Sequence, residues 1–132
     1  MRRAPLTVGD KMSKAPYVIR SDESMEVAQE LMRRHRIRHL PVIRARKLVG
    51  LVSLGDLHLL ETLPDVDVLE VSVEEAMSPE VYSVGPKTPL KRVVREMAAR
   101  KIGSAVVVKR GKVVGVFTTL DALKALASLL PD

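Results

Sequence analysis

Apolar residues recur at helical spacing in two stretches of the chain. In both stretches they lie three and four positions apart, which collects them on one face of an amphipathic helix. The stretches contain Met25, Ala28, Leu31 and Met32, and Leu90, Val93, Val94 and Met97. Asp22 is expected to cap the first helix and Thr88 the second. Pro89 would then take the first helical position, where its missing N–H costs nothing.

Shorter apolar runs follow each of these helices and predict strands. Two runs joined by a short turn occur after each helix, and such a pair is expected to form a β-hairpin. The paired runs are residues 39–43 with 47–53, and residues 104–109 with 112–118. The other predicted elements are brief strands at 17–19 and 81–84, and closing helices from Asp56 to about Leu60 and from Asp121 to about Leu130. The predicted order is strand, helix, strand, strand, helix, twice.

The elements occur twice because the chain is an internal duplication with an offset of 65 residues. A search for such self-similarity identifies repeats that a reading of single elements would miss. The aligned pairs include Met12-Ser13 with Met77-Ser78, Tyr17 with Tyr82, Val49-Gly50 with Val114-Gly115, and Asp56 with Asp121. Each copy opens with a capping-box-like signature, at residues 7–10 and 72–75, which predicts a short helical turn.

The duplication also predicts the domain organisation. Repeat 1 is expected at residues 7–62, a linker at 63–71 and repeat 2 at 72–130, the two repeats together making one module. A unit of about 60 residues with one three-stranded sheet leaves a sheet face uncovered. We therefore expect an α/β fold in which two βαββα repeats pack sheet to sheet about a pseudo-twofold axis, with a cleft between them.

Composition narrows the classes of partner. The 132 residues include 22 Lys and Arg against 16 Asp and Glu, so the net charge of +6 favours anionic partners. With one Phe, two Tyr and no Trp, the aromatic platforms on which single-stranded nucleic acid stacks are nearly missing. The chain has no cysteine and no uninterrupted apolar run of membrane-spanning length. These features predict a cytoplasmic location and no membrane association, and the scarcity of aromatic residues argues against a nucleic-acid partner.

A seven-residue motif, G-x-x-[S/T]-x-x-D, ends each predicted hairpin, at residues 50–56 and 115–121. Together with the segment at 35–42 and the closing helices, it makes residues 7 to 128 resemble a tandem pair of cystathionine-beta-synthase (CBS) domains. That resemblance implies a disc-like module whose clefts hold adenosine-containing ligands: AMP, ADP, ATP or S-adenosylmethionine. It also implies a homodimer.

The resemblance carries over to individual residues in two pockets. An ionised Asp offers two acceptor oxygens that match the two hydroxyls of ribose, and the following helix start offers N–H groups that favour phosphate. Pocket 1 is expected to comprise Ile37, Arg38, His39, Ser53, Gly55, Asp56, Met77 and Tyr82. Pocket 2 is expected to comprise Met12, Tyr17, Ile102, Gly103, Ser104, Thr118, Leu120 and Asp121. In the family, the isoleucine positions pack on adenine.

The two predicted pockets differ in charge. Arg38 and His39 occupy positions where family members place basic phosphate contacts, whereas Gly103 and Ser104 stand there in repeat 2. A phosphate needs a nearby cation to offset the cost of its desolvation. We therefore expect the Asp56 pocket to hold a phosphorylated ligand better than the Asp121 pocket.

Structural interpretations compete with each of these assignments. Asp56 and Asp121 could serve only as helix N-caps, and the basic run at residues 33–39 could be the solvated end of a helix. The three histidines lack partners at metal-ligand spacing, so no metal site is predicted. No nucleophile lies beside a base and there is no phosphate-binding glycine loop of the Walker type, so no enzyme is predicted.

The leading functional hypothesis is a regulatory module that binds an adenosine-containing ligand and modulates a partner protein, with no cofactor required. One alternative is a structural homodimerisation module whose pockets are vestigial. Another is nucleic-acid binding through the basic run, which would have a steep salt dependence.

Overall fold

The computed structural model describes residues 5–14 and 16–132 of the chain. The first half contains α1 (Val8–Lys11), β1 (Ser13–Lys14), β2 (Ile19–Arg20), α2 (Met25–His35), β3 (His39–Arg44), β4 (Lys47–Ser53) and α3 (Leu54–Glu61). The second half contains α4 (Val73–Ala76), β5 (Ser83–Val84), α5 (Leu90–Arg100), β6 (Ser104–Lys109), β7 (Lys112–Thr118) and α6 (Thr119–Leu129). No helix in residues 5–14 and 16–132 has both the length and the apolar character needed to cross a membrane.

The chain forms two compact units. We call Tyr17–Val81 the Asp56 unit, and the N-terminal segment up to Pro16 together with Tyr82–Asp132 the Asp121 unit. The Asp56 unit has a three-stranded sheet of order β2-β3-β4, with β2 parallel and β4 antiparallel to β3. Its core joins the apolar stripe of α2 to the inner face of the hairpin. The buried residues are Ile19, Met25, Ala28, Met32, Leu40, Val42, Val52, Leu57 and Val73.

The Asp121 unit has a four-stranded sheet of order β1-β7-β6-β5. Strand β5 runs parallel to β6, β7 is antiparallel to β6, and β1 extends the sheet along the outer edge of β7. Phe117 is fully buried in the core of this unit. The other buried core residues are Val8, Leu90, Val93, Met97, Ala105, Val107 and Ala125.

The compact units do not follow the sequence repeats. Each repeat's opening turn lies in the unit that holds the body of the other repeat, and backbone hydrogen bonds fix it there. Val8 N–H donates to the Thr88 carbonyl at 2.9 Å, and Val73 N–H donates to the Glu23 carbonyl at 2.7 Å. Residues 5–14 therefore complete the unit of residues 82–132, and residues 72–81 complete the unit of repeat 1.

Most predicted elements are confirmed. Strands β4, β6 and β7 have the predicted bounds, β3 is one residue longer than predicted, and both capping boxes form before α1 and α4. Strands β2 and β5 are shorter than predicted, with two residues each. The closing helices begin two residues earlier than predicted, at Leu54 and Thr119, because Ser53 and Thr118 are their N-caps.

Both predicted caps of the amphipathic helices are wrong. Ser24, not Asp22, caps α2 by accepting from Val27 N–H, while Asp22 accepts two hydrogen bonds from Arg20. Helix α5 begins after Pro89, and among the described residues no side chain caps it. Its first N–H, from Leu90, instead donates to the Leu6 carbonyl at 2.9 Å. A backbone acceptor from the N-terminal segment thus takes the place of the predicted Thr88 hydroxyl.

Candidate functional site

Asp56 lies in the first turn of α3, where one of its carboxylate oxygens is used to fix the helix start. Oδ2 accepts from the Ser53 N–H at 2.8 Å and from Ser53 Oγ at 3.0 Å, while Asp56 N–H donates to Ser53 Oγ at 3.2 Å. This is a capping box, in which Ser53 is the N-cap and Asp56 the third helical residue. The interpretation of Asp56 as the N-cap itself is therefore wrong. Oδ1 accepts no hydrogen bond from any described residue.

The segment at residues 37–39 runs beside this helix start. Leu54 N–H donates to the Arg38 carbonyl at 2.8 Å, and His39 lies opposite Ser53 in the β3–β4 ladder. Ile37 packs on the core, Arg38 is exposed, and His39 is half-buried. The hairpin thus brings one apolar side chain and two basic side chains to the end of the sheet where α3, the helix that carries Asp56, begins.

The surroundings of His39 shift its pKa. Burial lowers the pKa of His39 below its ordinary value of 6.5; the nearby Asp56 carboxylate acts in the opposite direction, and Arg38 adds to the lowering. Burial outweighs the attraction of the carboxylate because the charged imidazolium loses hydration. The neutral imidazole is therefore favoured in the folded protein.

The lowered pKa of His39 predicts a pH-dependent stability. Below the unfolded value of about 6.5, the unfolded chain binds a proton that the folded protein takes up less readily. The free energy of unfolding should therefore fall as the pH drops from about 6.5 toward the lowered folded pKa of His39. Urea unfolding at a series of pH values should show this loss in the wild type and a smaller one in His39→Gln. His58→Gln changes an exposed histidine of α3 and is the control; an equal change in that variant would contradict the assignment.

The segment that opens repeat 2 completes the Asp56 unit. Ser78 N–H donates to the Leu51 carbonyl and Leu51 N–H donates to the Ser78 carbonyl, both at 2.9 Å. The Met77 side chain lies against Gly50, so closely that a Cβ added to the glycine would overlap the methionine sulfur. Met77 is thus held beside β4, the strand that leads into Asp56.

Asp121 has the same capping box and one further contact. Its Oδ2 accepts from Thr118 N–H at 2.9 Å and from Thr118 Oγ1 at 3.2 Å. Ser13 Oγ donates to both carboxylate oxygens, at 3.1 Å to Oδ1 and 3.3 Å to Oδ2. Asp121 is 9% exposed, less than Asp56, and both of its oxygens are occupied. Here too, the N-cap is the hydroxyl residue, Thr118, and not the aspartate.

The positions that hold Arg38 and His39 in the Asp56 unit are uncharged in the Asp121 unit. Thr119 N–H donates to the Gly103 carbonyl at 3.1 Å, and Ser104 lies buried opposite Thr118. Ile102 packs on the core, as Ile37 does in the other unit. The backbone arrangement is therefore repeated, while at these two aligned positions only the Asp56 unit has basic side chains.

Each predicted pocket has seven of its eight residues in one unit. The Asp56 unit holds Ile37, Arg38, His39, Ser53, Gly55, Asp56 and Met77, and the Asp121 unit holds Met12, Ile102, Gly103, Ser104, Thr118, Leu120 and Asp121. The exceptions are the two tyrosines. Tyr17 belongs to the Asp56 unit and stacks on His35 at a centroid distance of 3.6 Å. Tyr82 belongs to the Asp121 unit, where Arg100 lies 5.1 Å from its ring centroid.

Sequence reasoning missed three residues that shape these sites. Ser13 was not expected to bond Asp121, and the motif glycines Gly50 and Gly115 were not expected to be contacted by methionines. The aligned Gly and Met positions carried a signal for the glycines, because both recur at the 65-residue offset. Among residues 5–14 and 16–132, no cluster of three or more His, Asp or Glu side chains could hold a metal ion.

Comparison with known proteins identifies a family that matches most of the chain. The CBS domain family matches residues 8–59 and 73–128. Inosine-5'-monophosphate dehydrogenase of Korarchaeum cryptofilum is 35% identical over 101 residues, which cover 76% of this chain and 20% of that protein. The chain thus spans a fifth of that relative, and it spans 42% and 32% of two relatives from Methanocaldococcus jannaschii.

Two solved structures of similar size share the fold. The CBS domain pair of protein MJ0100, in complex with 5-methylthioadenosine and S-adenosyl-L-methionine, matches with a TM-score of 0.85 at 26% identity, covering 95% of this chain and 98% of that one. CBSX2 in complex with AMP matches with a TM-score of 0.84 at 27% identity, covering 95% and 99%.

Proposed function

The chain belongs to the CBS domain family, and from that premise we propose that it is a regulatory module that binds an adenosine-containing ligand beside Asp56. The module binds and does not itself catalyse. The ligands in the two similar structures, AMP in one and S-adenosyl-L-methionine with 5-methylthioadenosine in the other, share an adenosine group. That shared group is the ligand chemistry we propose for this chain.

The main observation behind this proposal is that the two oxygens of the Asp56 carboxylate differ in their hydrogen bonds. Oδ2 holds the start of α3, while Oδ1 accepts no hydrogen bond from the described residues and Asp56 is partly exposed. An ionised oxygen in this state is a strong acceptor for a ribose hydroxyl. The helix is therefore already fixed before ligand arrives, and the second oxygen is available without any rearrangement of the capping box.

The neighbouring side chains suit the rest of a nucleotide. Ile37 offers an apolar surface to adenine, and Arg38 and His39 are donors for a phosphate group. An anionic phosphate beside His39 would raise its pKa, so binding should take up a proton. We propose AMP, ADP, ATP or S-adenosylmethionine as the ligand, with the phosphorylated compounds favoured by the two basic side chains.

Ligand binding should appear as stabilisation that depends on Asp56. Ligand at about a hundred times its Kd adds roughly 2.7 kcal/mol to the free energy of unfolding. Asp56→Asn keeps an oxygen for the Ser53 N–H but removes the charge, and a lost charge-assisted hydrogen bond of about 1.5–3 kcal/mol weakens binding about tenfold or more. The measurement is thermal unfolding of wild type and variant with AMP, ADP, ATP, S-adenosylmethionine or adenosine.

Asp121→Asn is the matched control for this experiment. It changes the aligned residue of the other repeat, whose carboxylate already accepts hydrogen bonds at both oxygens. Its ligand-induced stabilisation should remain close to that of the wild type. Equal losses in both variants would contradict the proposed preference for Asp56, and no stabilisation by any of the five compounds would overturn the proposed function.

The output of the module would come from another protein. We propose that ligand binding shifts the conformation or assembly of the module and so alters a partner, because differential binding to two states is what drives such a shift. A second candidate function is structural homodimerisation, which is supported by the exposed leucines of α6. These are Leu120, Leu123, Leu126 and Leu129. In the dimerisation hypothesis Asp56→Asn leaves both assembly and function unchanged.

A further inference from the structure

The Ser13 hydroxyl is hydrogen-bonded to the Asp121 carboxylate, the group expected to bind ligand in the Asp121 unit. Its hydroxyl donates to both oxygens of Asp121, at 3.1 and 3.3 Å, across 108 residues of sequence. We infer that Ser13 is a built-in competitor that closes the Asp121 site, so that the duplicated module has one open and one closed adenosine site. This inference rests on the proposed function, since it names the residue that makes the two sites unequal.

The aligned serine of the other repeat does not close the Asp56 site. Ser78 Oγ donates to the carbonyl of Glu80, two residues along its own chain, at 3.4 Å. Both serines pair with the equivalent position of a strand, Ser13 with Val116 and Ser78 with Leu51. The two sites thus share a backbone arrangement and differ in the direction of one hydroxyl.

The pairing beyond each serine also differs between the two units. Lys14 extends the pairing to Gly115, which makes β1 a two-residue strand along β7. Pro79 stands at the aligned position, and the pairing of Ser78 with Leu51 does not continue past it. The pairing of Ser78 is an isolated bridge, and its hydroxyl donates to the nearby carbonyl of Glu80. Ser13 is held in the ladder with its hydroxyl at Asp121.

The competition follows from the hydrogen bonds that a ligand would need. A ribose hydroxyl must donate to the same carboxylate to which Ser13 donates, so it gains only the difference between its own bond and the serine bond. Asp121 is also buried, with 9% of its surface exposed, which restricts access to its remaining lone pairs. At Asp56 the ligand meets an Oδ1 that accepts no hydrogen bond from the described residues, while at Asp121 it must displace a positioned hydroxyl.

Calorimetric titration with AMP tests the inference. The wild type should bind at one site per chain. Ser13→Ala should gain a second site, or tighten a weak one by about tenfold or more, since a hydrogen bond to a charged group contributes on that scale. Ser78→Ala removes the aligned hydroxyl and should titrate like the wild type. Ser13→Thr retains a hydroxyl and should also keep the second site closed.

A double variant assigns any gain to Asp121. Ser13→Ala with Asp121→Asn should lose the second site while keeping the first, and thermal unfolding of each variant verifies that it is folded. If AMP binds the wild type through Asp56 and Ser13→Ala gains nothing, or binds more weakly, the inference is overturned and the proposed function stands. If AMP, ATP and S-adenosylmethionine bind none of the proteins, the proposed function is overturned, and the inference with it.

Discussion

Phe117→Ala should lower the free energy of unfolding by about 3–5 kcal/mol, the range for truncation of a large buried aromatic side chain. Phe117 is fully buried in β7 and is the sole phenylalanine of the chain. It packs among residues of α5, β6 and α6, including Val93, Ala105 and Ala125. A packed core relaxes only partly around a truncated side chain, so a cavity remains where the ring was. Urea unfolding followed by circular dichroism measures the loss.

The duplication supplies a control for this prediction. Val52 occupies the aligned position in β4 and is also fully buried. Val52→Ala removes two methyl groups, for which a loss of about 2 kcal/mol is expected. The loss for Phe117→Ala should exceed that for Val52→Ala. The reverse order would mean that the ring does not hold the core of the Asp121 unit together.

The predictable part of this fold is the part specified by local periodicity. The stripe of Met25, Ala28 and Met32 predicted α2, and the apolar run at residues 47–53 predicted β4 with the bounds that the structure has. Both signals lie within one element and need no knowledge of its neighbours. The start of α5 does need such knowledge, because its first N–H is satisfied by the carbonyl of Leu6. A capping residue read from the local sequence alone was therefore wrong there.

The candidate site, like the fold, could be predicted from the sequence only in part. The spacing of Ser53 and Asp56 is that of a capping box, so the sequence could place the carboxylate at a helix start. The sequence could not show which carboxylate oxygen is free to accept a ligand hydrogen bond. Ser13 donates to Oδ1 of Asp121, whereas no described residue donates to Oδ1 of Asp56. The directions of the Ser13 and Ser78 hydroxyls decide this, and they leave no trace in local periodicity.

The motif glycines have a packing role that yields the other large effect. A Cβ added at Gly115 would overlap Met12 Sδ and would lie 2.9 Å from Met12 Cγ and 3.0 Å from the Ser13 carbonyl oxygen. Gly115→Ala should therefore lower the free energy of unfolding by about 1–3 kcal/mol, the usual range for overpacking. Gly50→Ala should do the same, because the Met77 sulfur and the Ser78 carbonyl oxygen crowd that position in the same way. Urea unfolding of both variants is the measurement.

A double-mutant cycle tests this packing role of the glycine. Met12→Ala combined with Gly115→Ala should recover part of the loss, because the side-chain clash disappears while the close carbonyl of Ser13 remains. Gly55→Ala is the control, since its Cβ would meet only Ser53 Oγ at 3.5 Å, and alanine in a helix is favoured by about 0.5–1 kcal/mol. Additive losses for Gly115 and Met12 would contradict the packing role. A positive coupling would mean that the glycine is required so that Met12 can cross β7, which in turn brings Ser13, the next residue, to Asp121.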